Sequence, residues 1–364
     1  MERAICRVFT LIDVPAEGRY NDLIIWFLNM AIFFARASFC SRSSGKGAVA
    51  QAAYRSGKAF KDNQRNRTFD YSKKTDRHDI HQNILLPIGA PEWMKNSERL
   101  WNHVQEFETN LIFKRYKGTH NDPIKREKSL AGRQKALGSA QDSWNQIIAL
   151  PRELNQAQNI EMLEAYLQKR FVSRGLICDY SIHKDKGNWH AHVAVTLREI
   201  LPTGNFSEKK ITSYKGLESH KDPFCRQQYS ETARVLADTM NNSLERAGVL
   251  DRVDHRSLEE QGIKRQATIH EGSYARLLEK SGEKSRRCQE NRDRKAQDLA
   301  LYLENPSYLL NDLARQSVVF TEAKIAETIF KLTDGDEHVY QDLSAKVKAV
   351  RIPETSRQVV KGGF

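Results

Sequence analysis

Three histidines near the middle of the chain have the spacing of ligands for a metal ion. His190 and His192 are two residues apart, and residues two apart on a strand point to the same face. His183 precedes them by seven residues, and the polar segment 184–188 between two apolar runs predicts a β-hairpin. The hairpin would bring His183 opposite the other two with matching parity. Three imidazoles that leave coordination positions open are the donor set of a catalytic divalent-cation site.

A wet strand face offers a simpler interpretation, because two histidines in a strand arise by chance. The third histidine on the matching parity favours the metal site. Mg²⁺ or Mn²⁺ is the expected ion if the substrate is a phosphate ester, since phosphoryl oxygens are hard ligands, although three imidazoles would also accept Zn²⁺. Asp179 shares the face of His183, and Asp179 or another carboxylate is expected to accept a ring N–H and fix a tautomer.

Tyr54 is the candidate nucleophile. An Ala-rich helix is predicted over 47–60, and its apolar stripe of Val49, Ala52 and Ala53 leaves Tyr54 pointing outward. A lone tyrosine on a helix is more often a packing residue, but this one has basic neighbours, namely Arg42, Lys46, Arg55 and Lys58. Their positive potential lowers the cost of a phenolate, and they are predicted to bind DNA phosphates. Beside a metal-bound phosphodiester, such a phenol can form a covalent phosphotyrosine.

The composition favours a polyanionic partner. The 364 residues contain 58 Lys and Arg against 46 Asp and Glu, a formal net charge of +12, which attracts nucleic acid. Five cysteines without a CxxC pair argue against a disulfide framework and indicate a reducing, cytoplasmic location. The apolar runs are too short for a spanning helix, so no membrane insertion is expected.

The order of elements predicts an α+β fold. Strand-like runs alternate with helical runs over 30–247, and at least one pair of strands is a hairpin. This pattern is typical of an antiparallel sheet covered by helices. The segment from 276 to 314 is rich in charge and has helical propensity, which indicates an exposed helical arm.

Several motifs together resemble a known family. They are AQAAYRSG (50–57), FDYS (69–72), ILLP (84–87), APEW (90–93), ALPREL (149–154), the segment 179–192 and VDHRS (253–257). In this order the motifs resemble those of the MobA/MobL conjugative relaxases, the MOBQ class. The resemblance implies an HUH-endonuclease fold and nicking of single-stranded plasmid DNA at an origin of transfer. It also implies a 5′-phosphotyrosyl link on Tyr54 and a metal held by His183, His190 and His192.

By the same resemblance, the partners would include relaxosome accessory proteins and a type IV secretion coupling protein. The sequence departs from the family at two places. Family members commonly carry glutamates where this chain has Asn145 and Ile147, and a basic insertion at 111–135 interrupts a helix that is continuous in relatives.

The predicted domains follow from these motifs. Residues 1–29 are a possible upstream extension, with Met30 a possible start, and 30–275 form the relaxase domain. After the arm at 276–314, residues 315–364 resemble the segment that leads into the helicase half of TraA-type relaxases. No GxxxxGK[ST] motif occurs, so nucleotide hydrolysis is not expected.

Two other functions remain open from the sequence. A rolling-circle replication initiator would use the same chemistry at a replication origin. A non-catalytic DNA-binding remnant is the other alternative, favoured by the missing glutamates and the missing helicase half.

Overall fold

The computed structural model divides the chain into two compact units. It describes residues 33–45, 47–73, 81–119, 121–185, 188–213, 222–224, 226–316 and 322–350. The sheet unit is Ala31–Ala247, and the helical unit groups Gly248–Phe364 with Met1–Met30. The predicted extension at 1–29 and start at Met30 lie outside the described residues, as does 351–364.

The sheet unit contains seven described strands. They are β1 (Ala35–Ser41), β2 (Ala59–Asp62), β3 (Arg67–Asp70), β4 (His81–Leu85), β5 (Gln141–Ala149), β6 (Cys178–Asp185) and β7 (Asn188–Thr196). Five of them form one antiparallel sheet in the order β1-β5-β7-β6-β4, and β2 pairs with β3. The predicted hairpin is the central pair, β6 and β7.

Helices cover this sheet. The described helices of the sheet unit are α1 (Ala48–Ser56), α2 (Ser97–Arg115), α3 (Pro123–Ser139), α4 (Gln156–Arg170) and α5 (Arg226–Arg246). The predicted fold class, α+β with an antiparallel sheet covered by helices, is confirmed. Among the described residues, every helix is either too short or too polar to cross a lipid bilayer.

The two faces of the sheet pack on different helices. On one face, Ala194 of β7 and Ile84 of β4 share a core with Ala52 of α1 and Trp101 of α2. On the other face, Tyr166 of α4 is fully buried and donates to the Gln146 side chain of β5 at 2.8 Å. The first face carries the histidines, so α1 lies on the same side of the sheet as they do.

Helix α1 is held at both ends by glycine. Gly57 ends it in the left-handed conformation at φ 61°, which costs little without a Cβ. Gly47 begins it, and a Cβ there would collide with the side chains of Arg65 and Gln105. Between them Ala52 and Ala53 are buried against the sheet. The start of α1 therefore lies close to the ends of the Arg65 and Gln105 side chains, and its buried alanines pack against the sheet.

The helical unit has a core of its own. Its helices are α6 (Gly272–Lys280), α7 (Arg286–Glu304), α8 (Pro306–Gln316), α9 (Glu322–Leu332) and α10 (Glu337–Ala349). Leu309, Ile329 and Leu343 are almost fully buried in one cluster of α7 to α10. The apolar residues near the end of the predicted arm at 276–314 pack into this core.

Two further details concern the predicted limits. The compact units divide between residues 247 and 248, inside the predicted relaxase domain at 30–275, and the limit of that domain stays a prediction. Within the predicted insertion at 111–135, α2 continues to Arg115 and α3 starts at Pro123, capped by Asp122. Helix α3 has no fully buried residue, which explains why the sequence shows no apolar stripe there.

Candidate active site

The hairpin brings the three histidines together. His183 pairs directly with His190 across the two strands, and His192 lies two pairs further along β7, opposite Ser181. Their ligand nitrogens all lie within 4.8 Å of one another. The ring centroid of His183 is 4.7 Å from that of His192, and His190 lies 5.0 Å from His192. The predicted cluster is thus present in the sheet.

Main-chain carbonyl groups orient two of the three rings. Nε2 of His183 lies 2.8 Å from the carbonyl oxygen of Arg55, and Nδ1 of His190 lies 3.0 Å from that of Asn188. A carbonyl oxygen only accepts hydrogen bonds, so each of these nitrogens carries the proton. The lone pairs therefore lie on Nδ1 of His183 and Nε2 of His190. These tautomers fit a divalent cation, which binds neutral imidazole.

Tyr54 lies beside this cluster. Its ring packs edge-on to His192 with the centroids 6.0 Å apart, and 36% of the residue is exposed to solvent. A second tyrosine, Tyr71, packs perpendicular to the Tyr54 ring with the centroids 5.5 Å apart. The phenol is therefore in contact with an imidazole of the cluster and with a second aromatic ring, and it can be reached from solvent.

Asp179 is buried in hydrogen bonds to two helices. Its Oδ2 accepts from Arg55 Nη2 of α1 at 2.9 Å, and from the indole N–H of Trp101 at 2.6 Å and Ser97 Oγ at 2.7 Å, both of α2. Arg55 connects Asp179 to the cluster, because the carbonyl oxygen of Arg55 faces Nε2 of His183. The direct contact between Asp179 and a histidine ring stays a prediction.

Two of the four predicted phosphate contacts are buried ion pairs. Arg55 is 5% exposed and bound to Asp179. Arg42 binds Asp142 at 2.9 Å with a side chain 9% exposed, and it also donates to Thr109 Oγ1. Neither guanidinium is available to DNA. Asp142 is 100 residues from Arg42 in the chain, and Asp179 is 124 residues from Arg55. Local spacing in the sequence could not reveal either ion pair.

The other two predicted contacts differ from this pair. Lys58 is exposed at the end of α1, where an external phosphate could reach it. Lys46 lies outside the described residues.

The sequence analysis missed residues that connect α1 to the sheet. Gln51, one turn before Tyr54, accepts a hydrogen bond from the Asn145 side chain of β5. Ile147 of β5 pairs with His192, and it is 37% exposed. The i, i+3 spacing of Gln51 and Tyr54 is the signal that places both on one side of the helix. Among the described residues, the cluster that could hold a metal consists of imidazoles alone.

Other nucleophiles near the sheet are kept protonated by burial. Burial raises the pKa of the Cys40 thiol, beneath α1, to about 11. Burial also raises the pKa of Cys178 and of Tyr180, on β6. The thiolate and phenolate forms are the nucleophiles, so these three groups are poor rivals to Tyr54.

Comparisons with known proteins agree on one family. The model of the MobA/MobL family matches residues 46–112 and 134–281, and the gap between the two stretches falls within 111–135. The conjugal transfer protein TraA of Agrobacterium fabrum is 28% identical over 345 residues, which are 87% of this chain and 28% of TraA. The probable mobilization protein MobA of Bifidobacterium longum is 31% identical over 305 residues, 74% of this chain and 48% of that protein.

A solved structure is also similar. It is described as the molecular basis of vancomycin resistance transfer in Staphylococcus aureus, with 28% sequence identity, a TM-score of 0.49, and coverage of 62% of this chain and 100% of the other. The chain spans less than half the length of the TraA and MobA relatives named above. Because the family model matches more than half of the chain, this protein belongs to the MobA/MobL family.

Proposed function

We propose that this protein is a relaxase that nicks single-stranded DNA at an origin of transfer by attack of Tyr54. The observation that carries the proposal is the contact between the Tyr54 ring and His192, a member of the imidazole cluster. A tyrosine used only for packing would not need to be exposed beside three converging ring nitrogens. The family and the names of the relatives, conjugal transfer and mobilization proteins, support the same reaction.

The imidazole cluster would hold a divalent cation through His183, His190 and His192. Such a cation, when bound, neutralises charge on a phosphodiester and polarises its phosphorus–oxygen bonds. The chain itself contributes the fixed tautomers at His183 and His190, which present lone pairs without rearrangement. Mg²⁺ or Mn²⁺ is proposed because the substrate oxygens are hard ligands, and binding isotherms with Mg²⁺, Mn²⁺ and Zn²⁺ would compare them.

The proposed step is a transesterification. The Tyr54 oxygen loses its proton to solvent and forms a bond to phosphorus, while the bond from phosphorus to the 3′ oxygen breaks. The 3′ oxygen leaves with the electron pair and takes a proton, which gives a free 3′-hydroxyl. The 5′ phosphate stays on Tyr54 as a phosphodiester, so the energy of the broken bond is kept for rejoining. The step needs no other reactant.

The substrate and partners are inferred from charge and family. A net charge of +12 favours binding to a DNA backbone. We propose the origin of transfer of a plasmid as the target, cytoplasmic accessory proteins that open the duplex, and a type IV secretion coupling protein as the receiver. These partners follow the family rather than any surface of this chain.

The test is covalent capture of a 3′-labelled oligonucleotide. Single-stranded oligonucleotides that tile the DNA beside the gene are incubated with protein and Mn²⁺, then separated on a denaturing gel. We expect a labelled protein band with the natural chain and none with Tyr54→Phe, whereas the matched control Tyr71→Phe keeps the band. Adducts only with replication-origin sequences would favour the rolling-circle initiator, and failure of every oligonucleotide would favour the non-catalytic remnant.

A further inference from the structure

Edge strand β1 and the residue before it present an exposed aromatic ring, Phe34, and an exposed guanidinium, Arg36, on the face that carries the histidines. Alternate residues of a strand share a face, so Phe34, Arg36 and Ser38 lie together. Phe34 is 42% exposed, and Arg36 and Ser38 are also exposed. A large aromatic side chain exposed on a sheet face needs an explanation, because its burial would stabilise the fold.

The strand register connects this surface to the imidazole cluster. Arg36 pairs with Ile147 of β5, and Ile147 pairs with His192 of β7, so the three residues form one row across the sheet. The carbonyl oxygen of Phe34 accepts from the amide of Ala149, which pairs with His190. Two strand spacings separate β1 from β7, which places the Arg36 and His192 backbones roughly 10 Å apart.

The surface between β1 and the cluster is apolar and open. Ile147 is 37% exposed and Ala149 is half-buried. On the side toward α1, the hydrogen bond between Gln51 and Asn145 joins the helix to β5. The exposed floor therefore runs from the histidines across β5 to β1.

Arg36 is available to bind an anion. Among the described residues it has no ion pair, and its side chain is exposed, unlike the buried Arg42 and Arg55. Proteins bind single-stranded nucleic acid with this pair of groups: the guanidinium binds a phosphate, and the aromatic ring stacks on a nucleobase. The apolar surface between them, formed by Ile147, suits contact with sugars and with the faces of nucleobases.

We propose that Phe34, Arg36 and Ile147 form a track for the DNA single strand that carries the scissile phosphate. The inference rests on the proposed function. A DNA single strand bound at the cluster would continue over Ile147, place a phosphate at Arg36 and stack one nucleobase on Phe34. The track extends the site from β7 across two β-strands, β5 and β1. It supplies affinity without recognising a DNA sequence, since every nucleobase has a face that can stack.

The test measures binding separately from cleavage. In the Tyr54→Phe background with Mn²⁺, fluorescence anisotropy reports binding of a labelled single-stranded oligonucleotide that the natural chain cleaves. We expect Phe34→Ala to weaken binding by about 5- to 150-fold. We expect Arg36→Ala to weaken binding and to lower the slope of log K against log salt by about 0.7.

Controls lie on the other face of the sheet. Phe39→Ala changes an aromatic residue of the same strand, 37% exposed on the opposite face, and Lys169→Ala removes an exposed charge from α4. Both should leave binding within about twofold of the parent, and Mn²⁺ isotherms should be unchanged by Phe34→Ala and Arg36→Ala.

Photocrosslinking of the natural chain gives a second readout that needs no variant. An oligonucleotide with 5-iodouracil near the nick should crosslink to the β1 peptide. Normal binding by Phe34→Ala and Arg36→Ala, or crosslinks confined to other peptides, would overturn the track while leaving Tyr54 chemistry intact. Loss of the covalent adduct in the natural chain would instead overturn the proposed function.

Discussion

At the scale of single residues, the candidate site consists of three imidazoles in one hairpin with the Tyr54 ring packed beside His192. The parity of His183, His190 and His192 in one hairpin placed all three on one face, and the structure brings them together. The outward direction of Tyr54 followed from helical periodicity. Arg55 was misassigned because its partner, Asp179, is 124 residues away, and a long-range ion pair leaves no local pattern.

Removal of one imidazole should abolish tight metal binding. His183 contributes a lone pair on Nδ1 and is 1% exposed, so His183→Ala leaves two ligands and a cavity. We expect Mn²⁺ affinity to fall by more than about 100-fold, beyond the loss typical of changes outside the direct ligands. Isothermal titration calorimetry measures it. His338→Ala, an exposed histidine of α10, serves as control and should bind Mn²⁺ as the natural chain does.

The buried ion pair of Arg55 should contribute strongly to stability when only one partner is removed. Arg55→Ala leaves the Asp179 carboxylate buried with two donors. We expect the free energy of unfolding to fall by about 3–5 kcal/mol in urea titrations. Arg234→Ala breaks exposed pairs with Glu231 and Asp238 and should cost at most about 1 kcal/mol. Equal effects of the two substitutions would contradict the structural role given to Arg55.

At the scale of elements, apolar periodicity predicted some segments and missed others. The hairpin β6 and β7 was recognised because apolar and polar residues alternate. Strand β5 runs from Gln141 to Ala149 and buries polar residues such as Asp142 and Gln146, so it lacks the apolar alternation that would predict a strand. Those residues are satisfied by Arg42 and Tyr166, which come from distant segments. Polar residues buried in a central strand hide it from pattern analysis.

A side chain at the start of α1 should disturb its surroundings. A Cβ at Gly47 meets the ends of the Arg65 and Gln105 side chains, so Gly47→Ala must displace these ends, and Gln105 is fully buried. We expect a loss of about 1 kcal/mol in unfolding free energy and slower adduct formation, since Tyr54 lies on the helix that starts here.

Gly138 of α3 is the matched control for this change. A Cβ there meets no atom within 4 Å, so Gly138→Ala should stabilise the protein by about 0.5–1 kcal/mol and leave the adduct rate unchanged. Thermal denaturation and a time course of the covalent product measure both quantities. An unchanged rate and stability in Gly47→Ala would show that this close approach does not position Tyr54.

At the scale of the whole molecule, the chain consists of two units with separate cores. Composition predicted a basic, DNA-binding protein, and the alternation of elements predicted α+β. The compact units divide between residues 247 and 248, whereas the family model matches up to residue 281, so the domain limit at 275 stays a prediction. The helices of the helical unit have few apolar residues. Their many charged residues led to the prediction of an exposed arm at 276–314. Only packing of α7 to α10 shows that Leu309, Ile329 and Leu343 form a core.

Core truncations should report on the two units separately. Leu100 belongs to the core under α1 and Leu343 to the helical core, and both are fully buried. We expect each of Leu100→Ala and Leu343→Ala to cost about 2–5 kcal/mol and to lower mainly the unfolding transition of its own unit. Differential scanning calorimetry of the full chain measures this. A single transition lowered equally by both substitutions would contradict two separately cored units.

The central claim is that Tyr54 becomes covalently joined to DNA beside the imidazole cluster. The most direct measurement is mass spectrometry of the natural chain after reaction with a single-stranded substrate, nuclease digestion and proteolysis. The account predicts a nucleotide attached through its 5′ phosphate to the peptide that contains Tyr54, formed with Mn²⁺ and absent with a chelator. A nucleotide on Tyr71 or on any other residue, or an adduct that forms equally well with the chelator, would contradict it.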